Sequence, residues 1–293
     1  MVGFELSVTK YGRNVLNLLN RTAALGFITI FISGNVFAAD YSLRKYEHVK
    51  TFYESIALSA VDLGLKHNVP PAAILAMAGL ESGYGRGYVS RITGNILSLG
   101  ARKGEPELPP LELPRHIPTS RVLIDKDRIE STPAEELKWK MRPPSLKKDY
   151  RPAKFAGTEK RLAYLQRNQD ERMAARRQNI SDFVTSWISD KSFVPAFTEA
   201  RAWLDQTVEQ EGKDSLLACK TAKSFISRIG GKPRSFNHRE TWVKKVNYIL
   251  DRAGLCSLTA AMSKGVPFEK AWSDPESSAS NTKANSWLSK LWQ

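Results

Sequence analysis

The stretch LESGYG, residues 80–85, places a carboxylate where a long apolar run stops. The ten residues before it, PPAAILAMAG, carry no polar side chain. Met77 and Ala78 lie one helical turn below Glu81 and Ile74 two turns below, so this helix is apolar nearly all round and is expected in the core. Burial disfavours the charged form of the Glu81 carboxyl group. The partial negative charge at the C-terminal end of a helix acts in the same direction. Ser82 and Gly83 end the helix at once, which lets the acid face a cleft instead of more core. A carboxyl group kept protonated near neutral pH can act as a general acid, the group that cleavage of a glycosidic bond requires. The alternative is a solvated glutamate at a frayed helix end. The apolar helix before Glu81 and the glycine-rich run after it argue against that.

Other elements must hold this helix in place. In VKTFYESIALSAVDLGLKHN, residues 49–68, Val49, Phe52, Ile56, Ala60 and Leu63 recur at helical spacing. Asn68, Val69, Pro70 and Pro71 break the chain and restart it, since proline suits a first helical turn. The next helix runs from Ala72 to about Ser82. Glycines at 83, 85, 87, 94 and 100 predict turns and short strands after it. Residues 105–178 read as an insertion. Its first half is proline-rich, EPELPPLELPRHIP, with a hairpin expected around SRVLIDKDRI. Its second half is basic: residues 138–177 hold 13 Lys and Arg against 4 Asp and Glu.

Helices resume at 180. Ile180, Phe183, Val184, Trp187 and Ile188 make one apolar face, and Phe197, Trp203, Leu204 and Val208 another. Asp214 is placed to cap a third helix ending at Gly230-Gly231. Asn237 with Glu240 suggests a capping box for a fourth, with Trp242, Val243, Val246, Ile249 and Leu250 inward and Gly254 as its stop. Residues 257–293 are rich in Ser and Asn and read as a flexible tail. Strands and helices do not alternate, so the expected class is mainly α with a small β region.

The formal net charge of +14 points to a polyanionic partner. Lys10, Arg13 and Arg21 precede the apolar run AALGFITIFI and then SGNVFAAD, with Val36 and Ala38 at the −3 and −1 positions of a cleavage site before Ala39. Residues 1–38 therefore read as a secretory signal peptide. The run is too short for an ordinary membrane span. A periplasmic or secreted location follows, which makes intracellular nucleic acid a poor partner. The two cysteines, Cys219 and Cys256, fall near the start of one predicted helix and just past the end of the next. Two antiparallel helices would bring them together as a disulfide; two buried thiols are the alternative. Four scattered histidines give no metal-ligand spacing, and no cofactor is expected.

The segment AILAMAGLESGYGRGYVSRITGNILSLGA resembles the core motif of the bacterial N-acetylglucosaminidases of glycoside hydrolase family 73, in the lysozyme-like superfamily. The matching pieces are Glu81-Ser82-Gly83-Tyr84-Gly85, Gly94-Asn95 and Leu99-Gly100-Ala101. The close likeness covers about residues 70–101, with looser likeness in the helices on either side. It implies a lysozyme-like α+β fold over residues 39–256, interrupted by the 105–178 insertion, with Glu81 as the acid. The chain departs from the family in having Ile96-Leu97-Ser98 after Gly-Asn. It also has Ser235-Phe236-Asn237-His238 where members often carry an active-site tyrosine. The family's second carboxylate lies in its β-hairpin lobe, so Glu112, Asp125, Asp127 and Glu130 are candidates by position. Tyr84, Tyr88, Asn95 and Trp242 are candidates for substrate binding, since sugar rings stack on aromatics and acetamido groups need fixed hydrogen-bond partners. The implied activity is hydrolysis of peptidoglycan glycan strands at N-acetylglucosaminyl bonds, with the basic insertion facing wall anions or an envelope protein partner. Two other readings fit the same residues: a lytic transglycosylase, which needs no activated water, and a non-catalytic peptidoglycan-binding module of an envelope assembly.

Overall fold

Helix α3, Pro71–Ser82, is the central element. Pro71 occupies its first turn, where a missing N–H leaves no intrahelical bond unmade. Every residue from Pro71 to Gly79 is buried. A helix with no polar face is stable only when it is surrounded. Here α2 (Ala57–Lys66) lies against it, as do α8 (Cys219–Ile229), α9 (Glu240–Arg252) and α10 (Leu255–Met262). Each neighbour presents an apolar stripe at helical spacing. From α8 come Ala222, Phe225, Ile226 and Ile229; from α9, Trp242, Val246, Ile249 and Leu250. Ile74, Leu75 and Met77 are completely buried, each contributing about 1.5–3 kcal/mol of transfer free energy. A charged side chain at any of them would break the packing. Helices α1 (Glu47–Glu54) and α7 (Pro195–Glu211) join the same contiguous core.

This computed structural model describes residues 41–100, 112–123, 126–141 and 168–273. The predicted signal peptide, 1–38, and most of the basic stretch lie outside them. The mainly α architecture expected from the sequence is present, with one small sheet. The sheet is three-stranded and antiparallel in the order β2-β1-β3, formed by β1 (Glu112–His116), β2 (Arg121–Val122) and β3 (Leu137–Met141). Arg115 pairs with Val122, and Glu112 with Met141.

Several local expectations need correction. The glycine-rich run forms no extended strand, only single bridge residues at Gly87 and Gly100. Tyr88–Thr93 instead forms a short helix, α4, closed by Gly94 at φ 72°. The hairpin turn lies at 117–120, upstream of the predicted one, and Lys126–Ser131 is a helix, α5. The insertion ends sooner than position 178: α6 (Gln169–Asp182) is packed, with Ala175, Arg176, Asn179 and Ile180 buried, and it runs on into a wider π turn at Phe183–Trp187. Asp214 makes no cap. Asn237 Oδ1 accepts from the Arg239 N–H at 3.1 Å, an Asx turn that precedes α9 instead of capping it.

The tail boundary at 257 also moves. Helices α10 and α11 (Phe268–Ser273) bury Leu258, Ala261, Ala271 and Trp272 in the core. Their apolar residues are few but well spaced, and the Ser/Asn-rich composition that suggested a tail comes from residues after 273. The Cys219–Cys256 disulfide is formed, with a Cα–Cα distance of 5.5 Å. It ties the start of α8 to the start of α10. Arg44 fastens the N-terminal segment by donating to the carbonyls of Ala253, Gly254, Ala271 and Trp272, at the ends of α9 and α11. Its guanidinium lies between the rings of Tyr41 and Trp272, 4.7 Å from each centroid. Among the described residues no helix is long and apolar enough to cross a membrane.

Candidate active site

Glu81 sits in the last turn of α3, where the helix leaves the core. Gly83 follows in the left-handed region at φ 56° and closes the helix: the Tyr84 N–H reaches back to the Gly79 carbonyl at 2.9 Å. Ser82 fixes the turn beyond. Its hydroxyl donates to the Ala78 carbonyl at 2.6 Å and accepts from the Gly85 N–H at 2.8 Å. Gly85 is required on two grounds. Its φ is 75°, and a Cβ there would stand 2.8 Å from Phe52 and 3.0 Å from the Arg176 guanidinium. The glycines of the motif thus turn the chain sharply, leaving the carboxyl group at the core boundary.

One described side chain is hydrogen-bonded to that carboxyl. The indole Nε1–H of Trp242, from the first turn of α9, donates to Glu81 Oε1 at 2.7 Å. Burial pushes the Glu81 carboxyl above its ordinary range, and the Trp242 hydrogen bond opposes this in part by favouring the charged form. The net displacement is upward, the direction a general acid requires. Trp242 is only 3% exposed, so its ring is not open for a sugar to stack on, and its indole N–H fixes the position of the Glu81 carboxyl. The position of its ring is over-determined. Phe236 packs on it with centroids 5.4 Å apart, and a Cβ on Gly230 would come 2.2 Å from the ring. The Gly231 N–H to Asn237 carbonyl bond (2.8 Å) and the Phe236 N–H to Ile229 carbonyl bond (2.7 Å) hold the connecting loop.

Tyr84 adopts φ 56°, rare for a residue with a side chain and costly unless the surroundings enforce it. They do so here: its ring meets those of His48, Phe52 and Tyr53 edge-on, at 5.9, 6.3 and 6.0 Å. Burial and, second, the neighbouring Tyr248 push its phenol up to about 12. The Tyr84 hydroxyl therefore stays protonated as a donor at any physiological pH.

The remaining sequence candidates fall in different places. Asn95 is 5% exposed and bound inward. Its Nδ2 donates to the Leu99 carbonyl at 2.9 Å, and its Oδ1 accepts from the Leu99 N–H at 3.0 Å and from Asn179 at 3.1 Å. Asn179 in turn accepts the Leu97 N–H at 2.9 Å. The pair shapes the Gly94–Gly100 loop beside α6. Asp127, on α5, forms an ion pair with Arg86 of the motif loop, which ties the β region to it. Glu130 is exposed on the same helix. Glu112 pairs through its backbone in β1, and Tyr88 opens α4; their side chains, and the whole of Asp125, lie outside the described residues. Among the described residues no group of His, Cys, Asp and Glu is placed to hold a metal ion.

Sequence reasoning missed the Trp242–Glu81 bond, since the partners are 161 positions apart. It also missed Arg176, whose guanidinium donates to the Ser55 hydroxyl at 2.6 Å and lies 5.5 Å from the Phe52 ring. Burial, with Arg172 second, brings Arg176 down to about 10. The one signal for it was a helix too basic to be buried that nevertheless carried apolar residues at helical spacing. No family model, curated protein or solved structure matches the chain.

Proposed function

We propose that this protein cleaves the glycan backbone of peptidoglycan at N-acetylglucosaminyl bonds, with Glu81 protonating the glycosidic oxygen. The observation that carries this reading is the Glu81 carboxyl itself: helix-terminal, half-buried, displaced upward by burial, and held by the Trp242 indole donor. The likeness of residues 70–101 to the family 73 glucosaminidases supplies the substrate class. The charge of +14 suits a polymer that carries carboxylates. The disulfide fits an exported protein.

A lytic transglycosylase is the second reading, and one observation favours it. Asp127, one of the candidates for a second carboxylate, is engaged by Arg86 in an ion pair instead of standing ready as a base for an attacking water. A single acid that also collects a proton suffices for an intramolecular closure to an anhydro sugar. The test is digestion of purified peptidoglycan by residues 39–293, followed by mass spectrometry. Reducing N-acetylglucosamine ends support hydrolysis and anhydro-muramic ends support the transglycosylase. Absence of both, with binding retained, leaves a glycan-binding module. Glu81→Gln should lower the rate of whichever cleavage occurs by about 10²–10⁴-fold.

A further inference from the structure

A buried guanidinium stands against the motif loop without a counter-charge. Arg176, on α6, is only 9% exposed. Its Nη1 donates to the Ser55 hydroxyl at 2.6 Å, and its guanidinium lies over the Phe52 ring, 5.5 Å from the centroid. Its Nη2 is 3.0 Å from where a Cβ on Gly85 would stand, so it abuts the turn closed by the bond from the Gly85 N–H to Ser82 Oγ. Gly85 is four residues from Glu81, which keeps the two Cα atoms within about 14 Å of each other.

The buried Nε of Arg176 has no hydrogen-bond partner, and neither has the buried Nε of Arg172, one helical turn earlier. Residues four apart on a helix bring their Cβ atoms to about 5–6 Å, and like charges so placed repel each other. Among the described residues neither arginine has a carboxylate within ion-pairing distance. Asp170 and Glu171, beside Arg172 in the first turn of α6, are exposed and pair with neither. A buried charge is ordinarily paired, and a buried N–H ordinarily finds an acceptor. Ser55 and Phe52 supply one acceptor and a ring face, and no negative charge. Arg172 is half-buried, so the pair meets solvent at its end. A carboxylate matches the planar guanidinium fork and brings the missing charge.

We propose that Arg172 and Arg176 form a carboxylate-binding site against the motif loop, filled by a carboxylate of the bound glycan strand. The source of the carboxylate rests on the glycan-cleaving reading above; the site itself does not. The ligand accepts from the two orphaned Nε–H groups and neutralises the buried charge. Gly85, having no side chain, lets the Arg176 guanidinium lie against the loop. The strand is thus gripped from α6 while Glu81 acts from α3.

The experiment is calorimetric binding at neutral pH to the Glu81→Gln protein, which cannot consume its ligand. The probes are a peptide-free glycan tetrasaccharide carrying lactyl carboxylates and its neutral methyl ester. A third arm reads the melting temperature in sodium acetate against sodium chloride at equal ionic strength. The acid should bind at least roughly tenfold more tightly than the ester. Arg176 is buried and its replacement would disturb the fold, so Arg172→Gln, at a half-exposed position, carries the test. It should abolish the preference for the acid without weakening the ester or lowering the melting temperature. Equal binding of acid and ester, with acetate raising the melting temperature in the parent and not in Arg172→Gln, overturns the strand as occupant and supports a site for a small free carboxylate. Equal binding with no acetate effect, or a preference for the acid that survives Arg172→Gln, overturns the site; lysis of peptidoglycan by wild type then leaves the catalytic reading intact. If neither sugar binds and wild type does not lyse, the glycan reading falls, and the acetate arm alone decides the site.

Discussion

Replacing Trp242 with phenylalanine isolates the hydrogen bond that its indole N–H donates to Glu81. The change keeps an aromatic ring in the pocket between Phe236 and Gly230 and removes the Nε1–H that stands 2.7 Å from Oε1. That bond favours the carboxylate, so its loss displaces the Glu81 carboxyl further upward. A hydrogen bond to a charged group contributes about 1.5–3 kcal/mol, and one pH unit corresponds to about 1.4 kcal/mol. Because Glu81 keeps some contact with water, which replaces part of the lost bond, the lower end applies. If the protonated acid is the active form, kcat/KM for cleavage falls on the alkaline side as Glu81 ionises. That limb should move to higher pH in Trp242→Phe, and the variant should keep activity at pH values where wild type has lost it. The smaller ring leaves a void in a site only 3% exposed, so a stability loss of about 1–2 kcal/mol accompanies it. Denaturant unfolding measures that separately. An alkaline limb that stays in place, or moves to lower pH, refutes the assignment of Glu81 as an acid tuned by the indole.

Gly230→Ala should displace the Trp242 ring, since the new Cβ would lie 2.2 Å from it, and should therefore move the alkaline limb in the same direction as Trp242→Phe while also lowering the melting temperature. Glu81→Gln should be at least as stable as wild type at pH 8. A carboxyl displaced upward by folding contributes its full stability below the ordinary carboxylate value and loses it as pH rises through the folded value, a loss the amide does not suffer; urea midpoints from pH 4 to 8 show the difference in slope. Cys219→Ser with Cys256→Ser opens a bridge between residues separated by 37 positions and should cost about 3–4 kcal/mol by chain entropy, read from unfolding under non-reducing conditions. Arg44→Ala strands carbonyls at two helix ends and should cost at least about 2 kcal/mol, with faster amide exchange at the ends of α9 and α11 and little change in the shape of the pH profile.

Much of the frame was legible along the chain because it depends on periodicity and on residues with restricted backbones. Pro71, the unbroken apolar run and Gly83 define α3 by themselves: an all-apolar helix must be central, and a glycine at positive φ must end it. The burial of Glu81 follows from those two facts. The stripes of α8 and α9 are equally local, and their antiparallel spacing anticipated the disulfide. What failed were assignments that turned on partners. Asn95 carries no mark in sequence that its amide would be spent on Leu99 and Asn179, and Asp127 none that it would pair with Arg86.

Composition set the carboxylate at the core boundary, but only tertiary packing decided what stands next to it. Trp242 reaches Glu81 because α9 crosses α3 at a height fixed by the Phe236 loop and the missing side chain of Gly230. Local sequence controls the torsions and the hydrophobic faces of each element. Which polar tips meet across those faces is settled by the relative rotation and height of the packed helices, a property of the whole core and of no single segment.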